Sequence, residues 1–99
     1  MWYSIVSQDV SNSQPLRAQA RSAHVTRIEA LVAQGRLLVA GPSPAVDAQD
    51  PGAAGVTGSI VIADFSSLDE AKTWADDDPY VDAGVYRDVS VKPFKLVLP

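Results

Sequence analysis

The sequence contains no cysteine and only one histidine among its 99 residues. The absence of cysteine excludes disulfide bonds and zinc–thiolate sites. With one histidine and scattered carboxylates, we do not expect a metal site. The glycine-rich motifs that bind nucleotide phosphates are also missing. The sequence therefore predicts a protein that uses neither a metal nor another cofactor.

Long apolar runs and an excess of positive charge are missing as well. No run approaches the roughly 20 apolar residues that span a bilayer. Residues 1–6 lack the basic start and the cleavage region of a signal peptide. The net charge of −4 argues against nucleic-acid binding, which needs a basic surface. We therefore expect a cytoplasmic protein that binds neither membranes nor nucleic acid.

The sequence does contain an alternation of strand and helix patterns. Strands are predicted at residues 2–7, 37–40, 59–65 and 85–91, helices at 16–34 and 66–77, a long loop at 43–58, and an additional edge strand at 95–98. The order β-α-β-β-α-β is typical of a ferredoxin-like α+β fold. We expect one domain over residues 1–99, in which two helices cover one face of an antiparallel sheet.

Two of the predicted strands carry apolar residues on both faces. Residues 37–40 and 59–63 do not alternate between apolar and polar side chains, as strands with one face in water should. A chain this short also buries a smaller share of its surface than a larger domain. We therefore expect a second copy to cover the free face, giving a homodimer or higher homo-oligomer. A merely less polar exposed face is the alternative.

The first predicted helix carries polar residues in its apolar stripe. The stripe centres on Ile28, and its continuation toward the N-terminus contains His24, Arg21 and Arg17. Long side chains that reach water from the edge of the core would explain this pattern. The alternative is a polar pocket, in which Arg17 or Arg21 binds an anion. His24 would then exchange a proton near neutral pH.

Two further residues are candidates for the same pocket. Asp78 precedes Pro79, and this pair predicts the N-cap of a short turn that Gly84 ends. A capping carboxylate is held rigidly, so Asp78 could also orient an imidazole. Ser43 follows the end of the second predicted strand, where its hydroxyl would contact a ligand or form a turn hydrogen bond.

Several stretches of the chain together resemble the YCII-related family. They are residues 21–24, 35–38, 40–42, 50–55, 74–80, 83–86 and 89–94. The resemblance spans nearly the whole chain and implies a ferredoxin-like fold that dimerises sheet to sheet. It also implies a catalytic His–Asp pair at His24 and Asp78. A proline that is usual in the family is Ser22 here, outside the proposed pair.

Two functions are consistent with these residues. One branch of the family resembles a dehydrochlorinase of chlorinated hydroxyquinones, which implies acid–base lyase chemistry. In that case His24 transfers a proton and Asp78 orients it, while Arg17, Arg21 and Ser43 bind a small anionic substrate. The other function is a non-catalytic dimer that binds a metabolite or a protein. We favour the enzyme, because the resemblance places the histidine and the aspartate together.

Overall fold

Four strands and three helices make up the computed structural model, which describes residues 1–99. They are β1 (Trp2–Asp9), α1 (Gln14–Ala33), β2 (Leu37–Pro44), β3 (Val56–Asp64), α2 (Leu68–Asp76), α3 (Pro79–Asp82) and β4 (Tyr86–Phe94), with a 3₁₀ turn at Gly52–Ala54. The strands form one antiparallel sheet in the order β2-β3-β1-β4. This is the ferredoxin-like α+β arrangement that the sequence predicts.

The segment around β2 and β3 differs most from the prediction. The predicted strand ended at residue 40, but β2 continues to Pro44 and β3 already begins at Val56. The connection is therefore shorter than the predicted loop at 43–58. Pro42 and Pro44 fit into β2 because it is an edge strand, where an N–H on the outer side needs no partner. The predicted edge strand at 95–98 is wrong, since β4 ends at Phe94 and no strand follows.

The helix-facing side of the sheet changes from apolar to polar along β1. Side chains alternate between the two faces of a strand, and the buried series in β1 is Tyr3, Ile5, Ser7 and Asp9. The apolar half of this face belongs to the hydrophobic core, formed by Tyr3, Ile5, Leu31, Val61, Ala63, Phe65, Ala71 and Ala75. The polar half lies at the other end of the strand, and the candidate site is built there.

Local signals set the ends of the long helices. Gly35 adopts a φ of +69° just beyond α1, the left-handed conformation that commonly ends a helix. Ser67 caps α2, because its hydroxyl oxygen accepts a hydrogen bond of 3.1 Å from the backbone N–H of Glu70. None of the helices combines the length and the apolar character needed to cross a membrane.

The outer face of the sheet, opposite the helices, exposes branched aliphatic side chains. Val6 and Ile60 are cross-strand partners, with exposed fractions of 40% and 42%. Val39, in the neighbouring strand, is 51% exposed. An apolar patch on a sheet face is a common mark of an interaction surface.

We expect a second copy of the chain to cover this outer face. Light scattering at micromolar concentration should then report a mass of at least two chains. Ile60→Glu should shift that mass toward one chain, because it would bury an unpaired carboxylate at the interface. Val32→Glu is the control. It introduces the same charge on α1, away from the outer face of the sheet, at a position that is 58% exposed. A monomeric wild-type protein would contradict the expectation.

Candidate active site

A cleft of about 180 Å³ lies where α1 and α3 meet the sheet. Ile28 and Val61 provide apolar wall, while Arg21, His24 and Tyr80 provide polar surface. Pockets that hold drug-sized ligands measure roughly 300–1,000 Å³. This cleft therefore suits a smaller molecule, of about one ring or a few carbon atoms.

His24 and Asp78 form a close pair at this cleft. Nδ1 of His24 lies 2.8 Å from Oδ1 and 3.0 Å from Oδ2 of Asp78, and both side chains are largely buried. An ionised carboxylate only accepts hydrogen bonds, so Nδ1 is the donor and a neutral ring carries its proton there. Nε2, which has no partner within the chain, is then the basic nitrogen.

The short helix α3 fixes the position of Asp78. Asp78 is the N-cap, and its Oδ1 accepts a hydrogen bond of 2.9 Å from the backbone N–H of Tyr80. Pro79 follows it at the start of the helix, where the missing N–H has no cost. Gly84, with a φ of +77°, follows the end of the helix. The carboxylate that caps α3 is therefore the one that orients His24.

The ring of Tyr80 is stacked on the imidazole of His24. The ring centroids are 3.9 Å apart and the planes differ by 11°. Tyr80 also contacts Tyr86 edge to face, with centroids 5.8 Å apart, and the guanidinium carbon of Arg17 lies 4.9 Å from its centroid. The stack and the Asp78 hydrogen bond together hold the plane and the rotation of the imidazole.

Arg17 forms an ion pair with Asp9. Its Nε lies 2.7 Å from Oδ2 and its Nη2 lies 2.9 Å from Oδ1 of a buried carboxylate. The hydroxyl of Ser13 donates a third hydrogen bond to Asp9, at 2.6 Å. Burial acts to lower the pKa of Arg17, but the hydrogen bonds and the charge of Asp9 outweigh it, so this pKa is raised. Most of the charge of Arg17 is thus neutralised within the chain.

Arg21 and Ser43 occupy different surroundings. Arg21 is exposed at the cleft and makes no ion pair within the chain. The structure does not bring Ser43 into this cleft. Its carbonyl oxygen accepts a hydrogen bond of 3.5 Å from Thr57, and it lies beside a separate hollow of about 560 Å³ at the end of β1. No group of three or more potential metal ligands is present.

Three hydroxyl groups form a chain of hydrogen bonds behind the cleft. Ser7 Oγ lies 2.8 Å from Ser59 Oγ, which lies 3.1 Å from the phenolic oxygen of Tyr86. Burial raises the pKa of Tyr86, although hydrogen bonds from Ser59 and Ser7 act in the opposite direction. The phenol is therefore neutral at physiological pH and can donate a hydrogen bond.

Sequence reasoning missed six residues of this region: Ser7, Asp9, Ser13, Ser59, Tyr80 and Tyr86. The alternation of β1 could have found Asp9, because Tyr3, Ile5, Ser7 and Asp9 share one face. No comparable signal in the sequence places an aromatic ring on His24.

Over nearly its whole length, the sequence is similar to bacterial proteins that share a single domain. A family model described as the YCII-related domain matches residues 1–95. Protein YciI of Escherichia coli O6:H1 is 60% identical over 97 residues, which cover 98% of this chain and 99% of that protein. An uncharacterized protein of Haemophilus influenzae is 54% identical over 97 residues, with the same coverage.

Solved structures share the fold. The 5-chloro-2-hydroxyhydroquinone dehydrochlorinase of Burkholderia phenoliruptrix, in complex with 2,5-dihydroxybenzoquinone, has a TM-score of 0.84 and 26% identity, covering 96% of this chain and 94% of that chain. A protein of Agrobacterium tumefaciens has a TM-score of 0.52 and 16% identity, covering 96% and 92% of the two chains. The second likeness concerns the fold alone.

Neutral His24 should carry its proton on Nδ1, because the Asp78 carboxylate can only accept it. Nitrogen NMR of the imidazole, at a pH where the ring is neutral, should show this tautomer. Asp78→Ala should shift the ring toward the Nε2–H tautomer that free histidine prefers. Asp76→Ala removes an exposed carboxylate near the same turn and should change nothing. An unchanged tautomer in Asp78→Ala would contradict the assignment.

The raised pKa of Tyr86 predicts a loss of stability in alkali. The folded state keeps the phenolic proton at a pH where the unfolded chain has released it, so the free energy of unfolding falls as pH rises above about 10. Tyr86→Phe should cost about 1 kcal/mol at neutral pH, for the lost hydrogen bond to Ser59. Its stability should fall less steeply in alkali.

Urea unfolding at neutral and alkaline pH measures both effects on Tyr86. Tyr3→Phe, at a buried tyrosine outside the hydroxyl chain, is the control and should retain the wild-type slope. Equal slopes for the wild type and Tyr86→Phe would refute the prediction.

Proposed function

The chain belongs to the YCII-related family, and we propose that it is a cofactor-independent acid–base enzyme that acts on a small anionic molecule. The observation that carries the proposal is the hydrogen bond from His24 Nδ1 to Asp78. It leaves Nε2 as the basic atom of a histidine that lines a cleft. A histidine that is held in a fixed orientation at a cleft is suited to general acid–base catalysis.

The charges around the cleft favour an anionic substrate. Arg21 is without an ion-pair partner in the chain, so its charge is available to a ligand. Arg17 is engaged by Asp9 and contributes mainly by supporting Tyr80. Glu29 also lines the cleft and is exposed. The substrate anion would therefore lie toward Arg21 and away from Glu29.

The similarity to the dehydrochlorinase supports an elimination reaction. An elimination needs a base that removes a proton and an environment that accepts the departing anion. His24 would take the proton at Nε2, and Arg21 would stabilise negative charge as the leaving group departs. Asp78 would keep the ring in the correct tautomer and stabilise the imidazolium that forms. The proposal concerns this class of reaction and leaves the leaving group open.

Hydrogen exchange on a small oxygenated ring tests the acid–base role. The probe is 2,5-dihydroxybenzoquinone in D₂O, because the related dehydrochlorinase binds this compound. Proton NMR should show that the protein accelerates exchange of the ring hydrogens for deuterium. His24→Ala should lower that rate by about 10²–10⁴-fold, the usual contribution of a general acid or base.

Variants of the acidic turn provide the controls for this exchange assay. Asp78→Asn should also slow exchange, because an amide cannot hold the same tautomer or stabilise the imidazolium. Asp76→Asn makes the same chemical change at an exposed position and should exchange like the wild type. Binding of the probe without accelerated exchange would favour the non-catalytic binding module. Exchange that persists in His24→Ala would contradict the proposal.

A further inference from the structure

The hydroxyl of Tyr80 has no hydrogen-bond partner in the chain. Tyr80 is 1% exposed, and its hydrogen bonds are made by the backbone, where the N–H donates to Asp78 and the carbonyl accepts from Val85. Among side-chain nitrogen and oxygen atoms sealed from solvent, only Nη1 of Arg27 lacks a partner. The Tyr80 hydroxyl is therefore not completely sealed, although almost none of the residue is exposed. Tyr80 is one of the residues that line the cleft of His24.

Buried tyrosines normally find a partner for the hydroxyl. The half-buried Tyr86 has such a partner, because its hydroxyl meets Ser59. Ser59 also borders the cleft, but its hydroxyl is already engaged by Ser7 and Tyr86. Among the hydroxyl groups of residues that line the cleft, the one on Tyr80 has its full donor capacity left for a ligand.

We propose that Tyr80 is a further catalytic residue, whose hydroxyl donates a hydrogen bond to an oxygen atom of the substrate. This inference rests on the proposed function and narrows its substrate class to phenols, enols and related oxygenated molecules. The parallel stack at 3.9 Å places the phenol directly beside the imidazole. A small molecule that fills the cleft therefore meets both groups at once.

The role of the hydroxyl follows from the movement of charge. When Nε2 of His24 takes a proton from the substrate, the electron pair of the broken bond is delocalised onto the substrate oxygen. The Tyr80 hydroxyl keeps its own proton and donates a hydrogen bond to that oxygen. A donor already in place stabilises this developing charge without having to reorganise. The hydrogen bond to a charged oxygen is also stronger than one to a neutral oxygen.

Tyr80→Phe tests the proposal, because it removes the oxygen and retains the stacked ring. The probe is 4-nitrocatechol, an oxygenated ring whose visible absorbance reports binding. Tyr80→Phe should bind it about tenfold more weakly, the equivalent of one hydrogen bond at 1.4 kcal/mol per tenfold. Tyr3→Phe removes the hydroxyl of a buried core tyrosine outside the cleft and should bind like the wild type. In the deuterium-exchange assay, Tyr80→Phe should also slow exchange at saturating probe.

The variants separate this proposal from the proposed function. Wild-type binding and exchange by Tyr80→Phe, with exchange lost in His24→Ala, would overturn the role of Tyr80 alone. Loss of binding in Tyr80→Phe, with exchange retained in His24→Ala, would support the Tyr80 contact and overturn the role of His24. A wild-type protein that does not bind 4-nitrocatechol at millimolar concentration would overturn this substrate class and the inference with it.

A second replacement addresses the case in which Tyr80→Phe does not fold. Difluorotyrosine in place of Tyr80 keeps the size of the ring and the hydroxyl but makes the phenol more acidic. An ionised phenol cannot donate, so the pH at which 4-nitrocatechol binding is lost should move downward. The same replacement at Tyr3 should leave the pH profile unchanged. An unmoved profile for the replacement at Tyr80 would overturn the proposal.

Discussion

The carboxylate of Asp78 accepts hydrogen bonds both from its own turn and from the distant helix α1, and the geometry of the cleft depends on this shared contact. One bond, from the backbone N–H of Tyr80, starts a helix of only four residues. The other, from Nδ1 of His24, joins that helix to α1. Because both bonds use Oδ1, the position of the helix and the rotation of the imidazole are set together. The stacking of Tyr80 on His24 follows from that joint placement.

Burying polar side chains at this end of the sheet costs free energy, and their hydrogen bonds offset that cost. Ser7, Asp9, Ser13 and Ser59 are all buried, and a buried polar group without a partner costs roughly 1–3 kcal/mol by mutational measures. Each of these side chains has a partner, and Arg17 meets Asp9 through two nitrogens. A buried ion pair is weak evidence for stability. Here the ion pair connects Arg17 of α1 to Asp9 of β1, which fixes the position of α1 relative to the sheet.

The sequence predicted the order of elements and the pair of His24 and Asp78 better than it predicted their surroundings. Helical periodicity identified the polar part of the α1 stripe, and the Asp-Pro step identified the cap, but the pairing of the two side chains came from the resemblance to the YCII-related family. Asp9 lies beyond the predicted strand, which ends at residue 7, whereas the pairing continues past an irregularity at Gln8. The contact between Tyr80 and His24 depends on how α3 docks, which no local pattern encodes. The prolines of β2 similarly indicated the end of a strand, although an edge strand tolerates them.

The separation of His24 and Asp78 along the chain also bears on how the cleft forms during folding. The two residues lie 54 positions apart, and β1 at the centre of the sheet pairs with β4 near the opposite end of the chain. Contacts between distant residues form late, because the intervening loop must lose its entropy first. The oriented imidazole therefore depends on contacts between residues that are far apart in the sequence. The orientation of the ring and the completion of the sheet thus depend on the same long-range contacts.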